Sequence, residues 1–314
     1  MLQYLIIQLD NTSTSFCHYS NTKNRPLLIT LDNLKNGILF AMKENLMVQY
    51  VLPDYELPAE YIEAMESIDN TKIASYQSVY ANNADIVVLN GWNKEYLFDK
   101  DDVYVLRVDK KELFGKCSEI KEKIKKCRRL NIVITDVETF TDVDFELYRS
   151  VLKEFSIALE DSFAADFVAQ LNVITDRMML DKMNNCNAGC DSITLAPDGR
   201  FYVCPAFYYE NEYNIGSLVD GLDIKNPQLY RLEYAPICRH CDAYQCKRCI
   251  WLNRKTTFEV NTPSHEQCVV SHLERNASRE LMMSVRERVE FLSDKEEIKD
   301  ISYLDPFDLR DEWL

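Results

Sequence analysis

Short apolar runs alternate with amphipathic segments over the first 185 residues. Apolar residues at helical spacing predict helices at 31–45, 59–68, 110–126 and 144–156. Runs of β-branched and aromatic residues predict strands at 4–9, 47–52, 72–76, 86–90, 104–108, 131–135 and 170–174. Strands that alternate with helices pair in parallel. This part is therefore predicted to be α/β, as a partial (β/α) barrel, with a doubly wound sheet as the alternative.

The pattern changes near residue 185. Pro197, Asp198 and Gly199 form a turn signal between two short apolar runs and predict a β-hairpin. Further helices are expected at 245–253 and at 271–292. We therefore predict two domains, an α/β partial barrel over 1–185 and a cysteine-rich domain over 186–314 that contains a C-terminal helix.

Eight of the eleven cysteines lie between residues 186 and 268. Eight thiols make two sets of four, and four thiolates are what one four-iron cluster or one structural zinc requires. Zinc ribbons usually separate their cysteine pairs more widely than this chain does, so two iron–sulfur clusters are favoured over zinc in one or both sites. The eight candidate ligands are Cys186, Cys190, Cys204, Cys238, Cys241, Cys246, Cys249 and Cys268.

Composition and charge restrict the function classes. No apolar run approaches the roughly 20 residues that span a bilayer, and the N-terminus resembles a strand more than a signal peptide. We therefore expect a cytoplasmic protein, in which thiols stay reduced and a disulfide framework is disfavoured. A net charge of −15 disfavours nucleic acid and anionic membranes as partners. Only seven glycines occur, and none of them forms a phosphate-binding loop.

Basic residues are concentrated beside the cysteines. Residues 225–255 contain seven Lys or Arg against the two acids Glu233 and Asp242. Either these cations form a solvated surface, or they compensate the negative charge of thiolate-ligated clusters.

The segment from Cys186 to Cys268 resembles a SPASM domain, the auxiliary-cluster module of many radical S-adenosylmethionine peptide maturases. The match is closest in the hairpin, where Gly199 is followed five residues later by Cys204 and then by Pro205. The cysteine quartet is more compact here, with spacings of four and two where the family usually has five and three. The resemblance implies one [4Fe-4S] cluster on Cys186, Cys190, Cys204 and Cys249, and a second on Cys238, Cys241, Cys246 and Cys268.

The radical motif itself is missing. The loop after the first predicted strand keeps only Cys17 where such enzymes have CxxxCxxC, and the segment from Pro53 to Pro58 has no glycine where they have Gly-Gly-Glu. We therefore expect no S-adenosylmethionine site and no cleavage of that cofactor by this chain alone. A chain with a complete auxiliary module, but without the radical motif in its N-terminal α/β part, resembles the CXXX repeat peptide maturase family.

That resemblance implies an accessory role in maturing a ribosomally synthesised cysteine-repeat peptide, with the precursor peptide and a genuine radical enzyme as partners. Two alternatives remain. One is a non-redox peptide- or protein-binding module that zinc or iron stabilises. The other is an independent enzyme that uses cluster-based or thiol chemistry at Cys17, as a nucleophile or as a mixed-disulfide partner of a cysteine-rich substrate. His240, His265 and His272 are expected beside the second cluster as hydrogen-bonding residues. Trp251 and Phe258 are expected to cover the clusters.

Overall fold

The structure is a computed structural model that describes residues 2–164, 167–289, 292 and 294–308. Its largest element is a nine-stranded sheet with the strand order β7-β6-β5-β4-β3-β2-β1-β8-β9. The strands are β1 (Tyr4–Gln8), β2 (Met47–Val51), β3 (Asn70–Ser75), β4 (Ile86–Asn90), β5 (Val103–Val108), β6 (Arg129–Ile134), β7 (Gln170–Leu171), β8 (Ser192–Leu195) and β9 (Phe201–Tyr202).

Strands β1 to β7 are parallel and follow one another in chain order. Right-handed crossovers that all run in one direction place their helices on one face of the sheet. The predicted parallel α/β class is therefore confirmed, and the doubly wound alternative does not describe these seven strands, because it reverses the strand order. In the described residues no pairing joins the edge strands β7 and β9, so the sheet is open.

The predicted hairpin extends this sheet. Strand β8 pairs in parallel with β1, and β9 pairs antiparallel with β8. Helix α1 (Leu31–Glu44) approaches the hairpin so closely that a Cβ at Gly37 would meet the Leu195 side chain. The sheet thus runs across residue 185, where the sequence predicts a division into two domains. That division stays a prediction.

The remaining helices are α2 (Ala59–Met65), α3 (Lys110–Gly115), α4 (Cys117–Ile124), α5 (Asp142–Ala164), α6 (Thr175–Met179), α7 (Pro205–Tyr209), α8 (Ile250–Thr257) and α9 (His265–Val285). A two-stranded ribbon joins β10 (Gly216–Ser217) to β11 (Gly221–Leu222). No helix in the described part of the chain is long and apolar enough to cross a membrane.

Two predicted helices are displaced along the chain. The helix predicted at 245–253 begins only at Ile250, because the segment from Cys246 to Cys249 is irregular. The helix predicted at 271–292 is α9, whose first turn is capped by the Ser264 side chain, an acceptor for the Gln267 N–H at 3.3 Å. Residues 290 and 291 of that prediction lie outside the described residues.

The two faces of the sheet differ. Leu5 and Ile7 of β1 point into the main core, whereas Ile6 belongs to a separate small cluster with Val51 and Val105. This alternation follows from the two-residue period of a strand. The loop after β1, residues 10–22, lies over the face with the small cluster, since Phe16 packs against it. This face carries the candidate site.

Candidate functional site

Four thiols line one small cavity in the cysteine-rich part. Burial raises the pKa of Cys238 and of Cys241 to about 12 each, and the charges of neighbouring thiols contribute to both shifts. Burial, Asp305 and the same thiols raise the pKa of Cys268 in α9. The lining thiols are those that the family resemblance assigns to the second cluster: Cys238, Cys241, Cys246 and Cys268. We call them the distal thiol group.

Sulfur atoms of the distal thiol group accept hydrogen bonds. The Ala243 N–H lies 3.4 Å from Cys241 Sγ, and the Arg248 N–H lies 3.4 Å from Cys246 Sγ. His272 Nε2 lies 3.3 Å from Cys241 Sγ. Donors at sulfur favour the thiolate form and tune the potential of a cluster. His272 therefore lies where the sequence places a hydrogen-bonding residue.

A second group of thiols lies against the sheet. Burial raises the pKa of Cys249 and of Cys204, and the charge of Cys186 raises both further. Backbone N–H groups at the start of α7 act in the opposite direction on Cys204, whose pKa is about 12. Burial and the Asp191 carboxyl raise the pKa of Cys190.

Cys17 joins this second group from the loop after β1. After burial, the charges of Cys186 and Cys204 are the largest causes that raise the pKa of Cys17. Cys17 in turn raises the pKa of Cys249, and the thiols of Cys17, Cys186 and Cys249 line the same cavity. We call Cys17, Cys186, Cys204 and Cys249 the proximal thiol group.

The environment of Cys17 disfavours a role as a nucleophile. A reactive cysteine needs a lowered pKa, whereas burial raises the pKa of this thiol. The neighbouring His18 does not activate it, because His18 Nδ1 lies 2.9 Å from the carbonyl oxygen of Ile134 and burial lowers the pKa of this ring. The catalytic role predicted for Cys17 stays untested.

Arg107 fixes the loop that carries Cys17. Its guanidinium, in β5, donates from Nε to the Cys17 carbonyl at 2.8 Å and from Nη2 to the Tyr19 carbonyl at 2.7 Å. The third nitrogen donates to Asn90 Oδ1 at 2.6 Å. The sequence analysis missed Arg107, although a charged residue inside an apolar strand is a usable signal.

The Tyr19 ring links this loop to two helices of the cysteine-rich part. Its centroid lies 6.0 Å from that of Tyr209 in α7 and 6.1 Å from that of Trp251 in α8. Helix α7 begins directly after Cys204, and α8 begins directly after Cys249. The contact therefore holds the Cys17 loop beside two proximal thiols. That Trp251 covers a cluster stays a prediction.

Three other predicted side chains are exposed or paired with another group. Phe258 ends α8 with its side chain 89% exposed, so the prediction that it covers a cluster is wrong. Its left-handed backbone, with φ at 63°, turns the chain after the helix. His265 pairs with Asp305, and His240 is exposed.

Arg248 lies between the two thiol groups. Its side chain is 1% exposed, and its Nε and Nη1 atoms have no hydrogen-bond partner in the described part of the chain. Its charge lowers the pKa of Cys186 in one group and of Cys238 in the other. The third nitrogen, Nη2, donates to the Tyr230 carbonyl. A buried guanidinium with two unpartnered nitrogens is costly, so an anionic group beside it would supply the missing partners. A thiolate-ligated cluster is such a group.

The same residue separates Cys246 from Cys249. Arg248 has a left-handed backbone, with φ at 44°, which is strained for a residue other than glycine. This turn directs Cys246 to the distal group and Cys249 to the proximal group, although only two residues separate them.

A cavity of about 350 Å³ separates the sheet from the thiol groups. Strand β6 and the Cys17 loop form one wall, and the cysteine-rich part with α9 forms the other. Cys17, Cys186, Cys246 and Cys249 lie on its surface, so both thiol groups reach it. The Gln245 Oε1 atom at this cavity is buried and has no partner among the described residues.

Glu274 is the acid of this cavity. The Tyr148 hydroxyl donates to its carboxylate at 2.8 Å, and Gln245 Nε2 donates at 3.3 Å. Burial raises the pKa of Glu274 to about 7, with a smaller contribution from Asp176, while these donors and Lys247 oppose the rise. The sequence analysis missed Glu274, whose signal is an acid among the buried positions of α9.

The loops after β1 and β2 are joined by a hydrogen bond. The Tyr55 hydroxyl donates to the Asp10 carboxylate at 3.0 Å, and the N–H of Thr12 donates to the other oxygen at 2.7 Å. These are the segments in which the sequence lacks the radical motif and the glycine pair. Among the described residues, no group of three or more Cys, His, Asp or Glu side chains is arranged to hold a single metal ion.

No protein-family model and no curated protein matches the sequence. Solved structures of similar fold do match. A structure described as native anSMEcpe with bound AdoMet has 11% identity and a TM-score of 0.64, over 91% of this chain and 100% of that chain. A second, with AdoMet and Kp18Cys peptide, has 11% identity and a TM-score of 0.65, over 92% of this chain and 100% of that chain.

A third match is Streptococcus suis SuiB bound to its precursor peptide SuiA, with 13% identity and a TM-score of 0.51. It covers 85% of this chain and 76% of that chain. At such identities the likeness establishes a shared fold, an α/β architecture with a large parallel sheet.

Proposed function

We propose that this chain is an accessory maturase of the CXXX repeat peptide maturase type. It would act in the cytoplasm with a separate radical S-adenosylmethionine enzyme on a ribosomally made cysteine-repeat peptide. The observation that carries the proposal is the 350 Å³ cavity, because thiols of both groups and the inner face of the sheet border the same space. A peptide held there would lie between the sheet and the thiol groups.

The proposal includes two four-iron clusters. One would be held by the distal thiol group, and the other by a set that contains Cys186, Cys204 and Cys249. The family resemblance predicts Cys190 as the fourth member of that set. When bound, such a cluster supplies a one-electron redox centre. The two unpartnered guanidinium nitrogens of Arg248, beside thiols of both groups, support the fit because thiolate-ligated clusters carry negative charge.

The cavity has groups suited to a peptide. The unpartnered Gln245 Oε1 can accept a peptide N–H, and the apolar side chains of Val133 and Val270 exclude water. Glu274, with a pKa of about 7, can donate or accept a proton near neutral pH. Lys247 is a cation on the same surface and favours anionic thiolates of a cysteine-rich peptide.

Relatives in fold support a peptide partner. The anSMEcpe structure named above contains AdoMet and the Kp18Cys peptide. The SuiB structure contains the precursor peptide SuiA. The peptides and AdoMet are ligands of anSMEcpe and SuiB. The fold that each of these proteins shares with this chain covers most of this chain's length.

Metal analysis tests the cluster part of the proposal. We expect about eight iron and about eight labile sulfide atoms per chain after anaerobic purification. Stoichiometric zinc without labile sulfide would reject the clusters and favour the alternative, a peptide-binding module stapled by zinc.

Peptide binding tests the other part. We expect a fluorescent peptide with Cys-x-x-x repeats to bind the metal-loaded chain anaerobically, and a matched peptide with serine for cysteine to bind at least tenfold more weakly. Val133→Phe narrows the cavity and should weaken binding, whereas Val143→Phe, at an exposed position of α5, should not. Equal binding by both variants would place the peptide elsewhere.

A further inference from the structure

We infer that Cys17, in place of Cys190, is the fourth thiol of the first metal centre. The set would be the proximal thiol group, Cys17, Cys186, Cys204 and Cys249. The inference rests on the proposal that this chain holds two metal centres, and it assigns one ligand to the loop after β1.

The first argument is placement. Cys17, Cys186 and Cys249 lie on one cavity surface. Cys204 precedes α7, whose Tyr209 packs its ring against Tyr19, two residues after Cys17. The Thr22 hydroxyl also donates to the Tyr209 carbonyl at 2.5 Å. The loop is therefore in direct contact with the helix that follows Cys204, and it shares a cavity surface with Cys186 and Cys249.

The second argument is that the loop is held in place. Arg107 binds the carbonyl groups of Cys17 and Tyr19, and Ser15 Oγ donates to the Tyr19 carbonyl at 2.7 Å. A ligand needs such fixed backbone, because the supporting hydrogen bonds orient the side chain towards the metal.

The third argument concerns Cys190. Cys190 is not among the residues that line the cavity shared by Cys17, Cys186 and Cys249. It lies in a turn in which the Cys190 N–H donates to the Asn187 carbonyl at 2.9 Å and the Asn187 side chain donates to Asp191 at 2.8 Å. Bringing Cys190 to the proximal thiol group would require this turn to rearrange.

The chemistry of the inference is simple. Four thiolates would complete a centre on Cys17, Cys186, Cys204 and Cys249, and the centre would then link the loop after β1 to the cysteine-rich part. Metal binding would couple the packing of these two parts, because a shared centre forms only when both are in place.

The test compares full-length Cys17→Ala and Cys190→Ala after anaerobic metal loading. Cys186→Ala is the positive control, and Cys117→Ala, in α4 outside both groups, is the matched control. We expect Cys17→Ala and Cys186→Ala either to lose about half of the wild-type metal or to form a three-iron cluster on mild oxidation, seen by electron paramagnetic resonance. Cys190→Ala and Cys117→Ala should match the wild type.

Loss in Cys190→Ala with a full centre in Cys17→Ala would overturn the inference and leave the two-cluster proposal intact. Wild-type chain without iron or zinc would overturn both. If a variant fails to fold, the inference can still be tested on the wild type by alkylating its cysteines and identifying the labelled positions by mass spectrometry. Cys190 should be labelled equally in metal-loaded and metal-free protein, and protection of Cys190 by the metal would reject the inference.

Discussion

The hydroxyl of Tyr148 in α5 donates a 2.8 Å hydrogen bond to the carboxylate of Glu274 in α9. This bond joins the helix between β6 and β7 to the long helix of the cysteine-rich part, and Glu274 lies at the surface of the cavity. Because both side chains are buried, the bond makes the protonation state of Glu274 a determinant of stability.

Glu274→Gln should remove a pH dependence of folding. The pKa of Glu274 rises from 4.5 to about 7 on folding, so its stabilising contribution is complete below about pH 4.5 and is lost as pH rises through 7. We expect the wild type to lose up to about 3 kcal/mol relative to the variant between pH 5 and 8. Urea unfolding at four pH values measures this, and Glu280→Gln, on an exposed position of α9, is the control. If the free energy of unfolding changed equally with pH in Glu274→Gln and in the wild type, the pH dependence would not come from Glu274.

Arg248→Met should alter both metal centres. The guanidinium is buried between the two thiol groups and acts on thiols of both. Its loss therefore removes one positive charge that lies beside both groups. We expect both cluster potentials to fall by on the order of tens of millivolts. Redox titration followed by electron paramagnetic resonance measures the two potentials. Arg239→Met, at an exposed position, should leave them unchanged, and a change in one potential only would place Arg248 at a single centre.

The metal-loaded chain should not cleave S-adenosylmethionine. Its loop after β1 lacks CxxxCxxC, and the Asp10 carboxylate that ends β1 is bonded to Tyr55 of the next loop. We expect no 5′-deoxyadenosine above that of metal-free protein after incubation with the cofactor and a strong reductant. Chromatography detects this product, and its formation in excess of the control would show that another part of the chain binds the cofactor productively.

Substitutions in the two groups should have separable effects. Cys249→Ala should lose the same centre as Cys186→Ala, because the two thiols line one cavity, whereas Cys268→Ala should lose the other centre together with Cys238→Ala, because those two line the small distal cavity. Spectra of these four variants and of Cys246→Ala distinguish the centres. If Cys249→Ala matched Cys246→Ala, the compact quartet would be a single site and the interleaved arrangement would be rejected.

The sequence determined the order of strands and helices and the parallel class of the sheet. These features depend on local periodicity. The spacing of apolar residues predicts the helix in segment 31–45 and the strand in segment 86–90. It also showed where thiols are concentrated. A count and a spacing are enough for that, because four-thiolate sites need a fixed number of ligands.

The tertiary structure decided which thiols are neighbours. Cys17 and Cys186 are 169 positions apart, and only the packing of the loop after β1 against α7 and α8 brings them to one cavity. Conversely, Cys190 is four residues from Cys186, yet its turn directs it to Asp191. The same reason applies to Glu274, whose shifted pKa arises from burial beside Tyr148. Burial and proximity between distant segments are properties of the folded chain, and no local pattern encodes them.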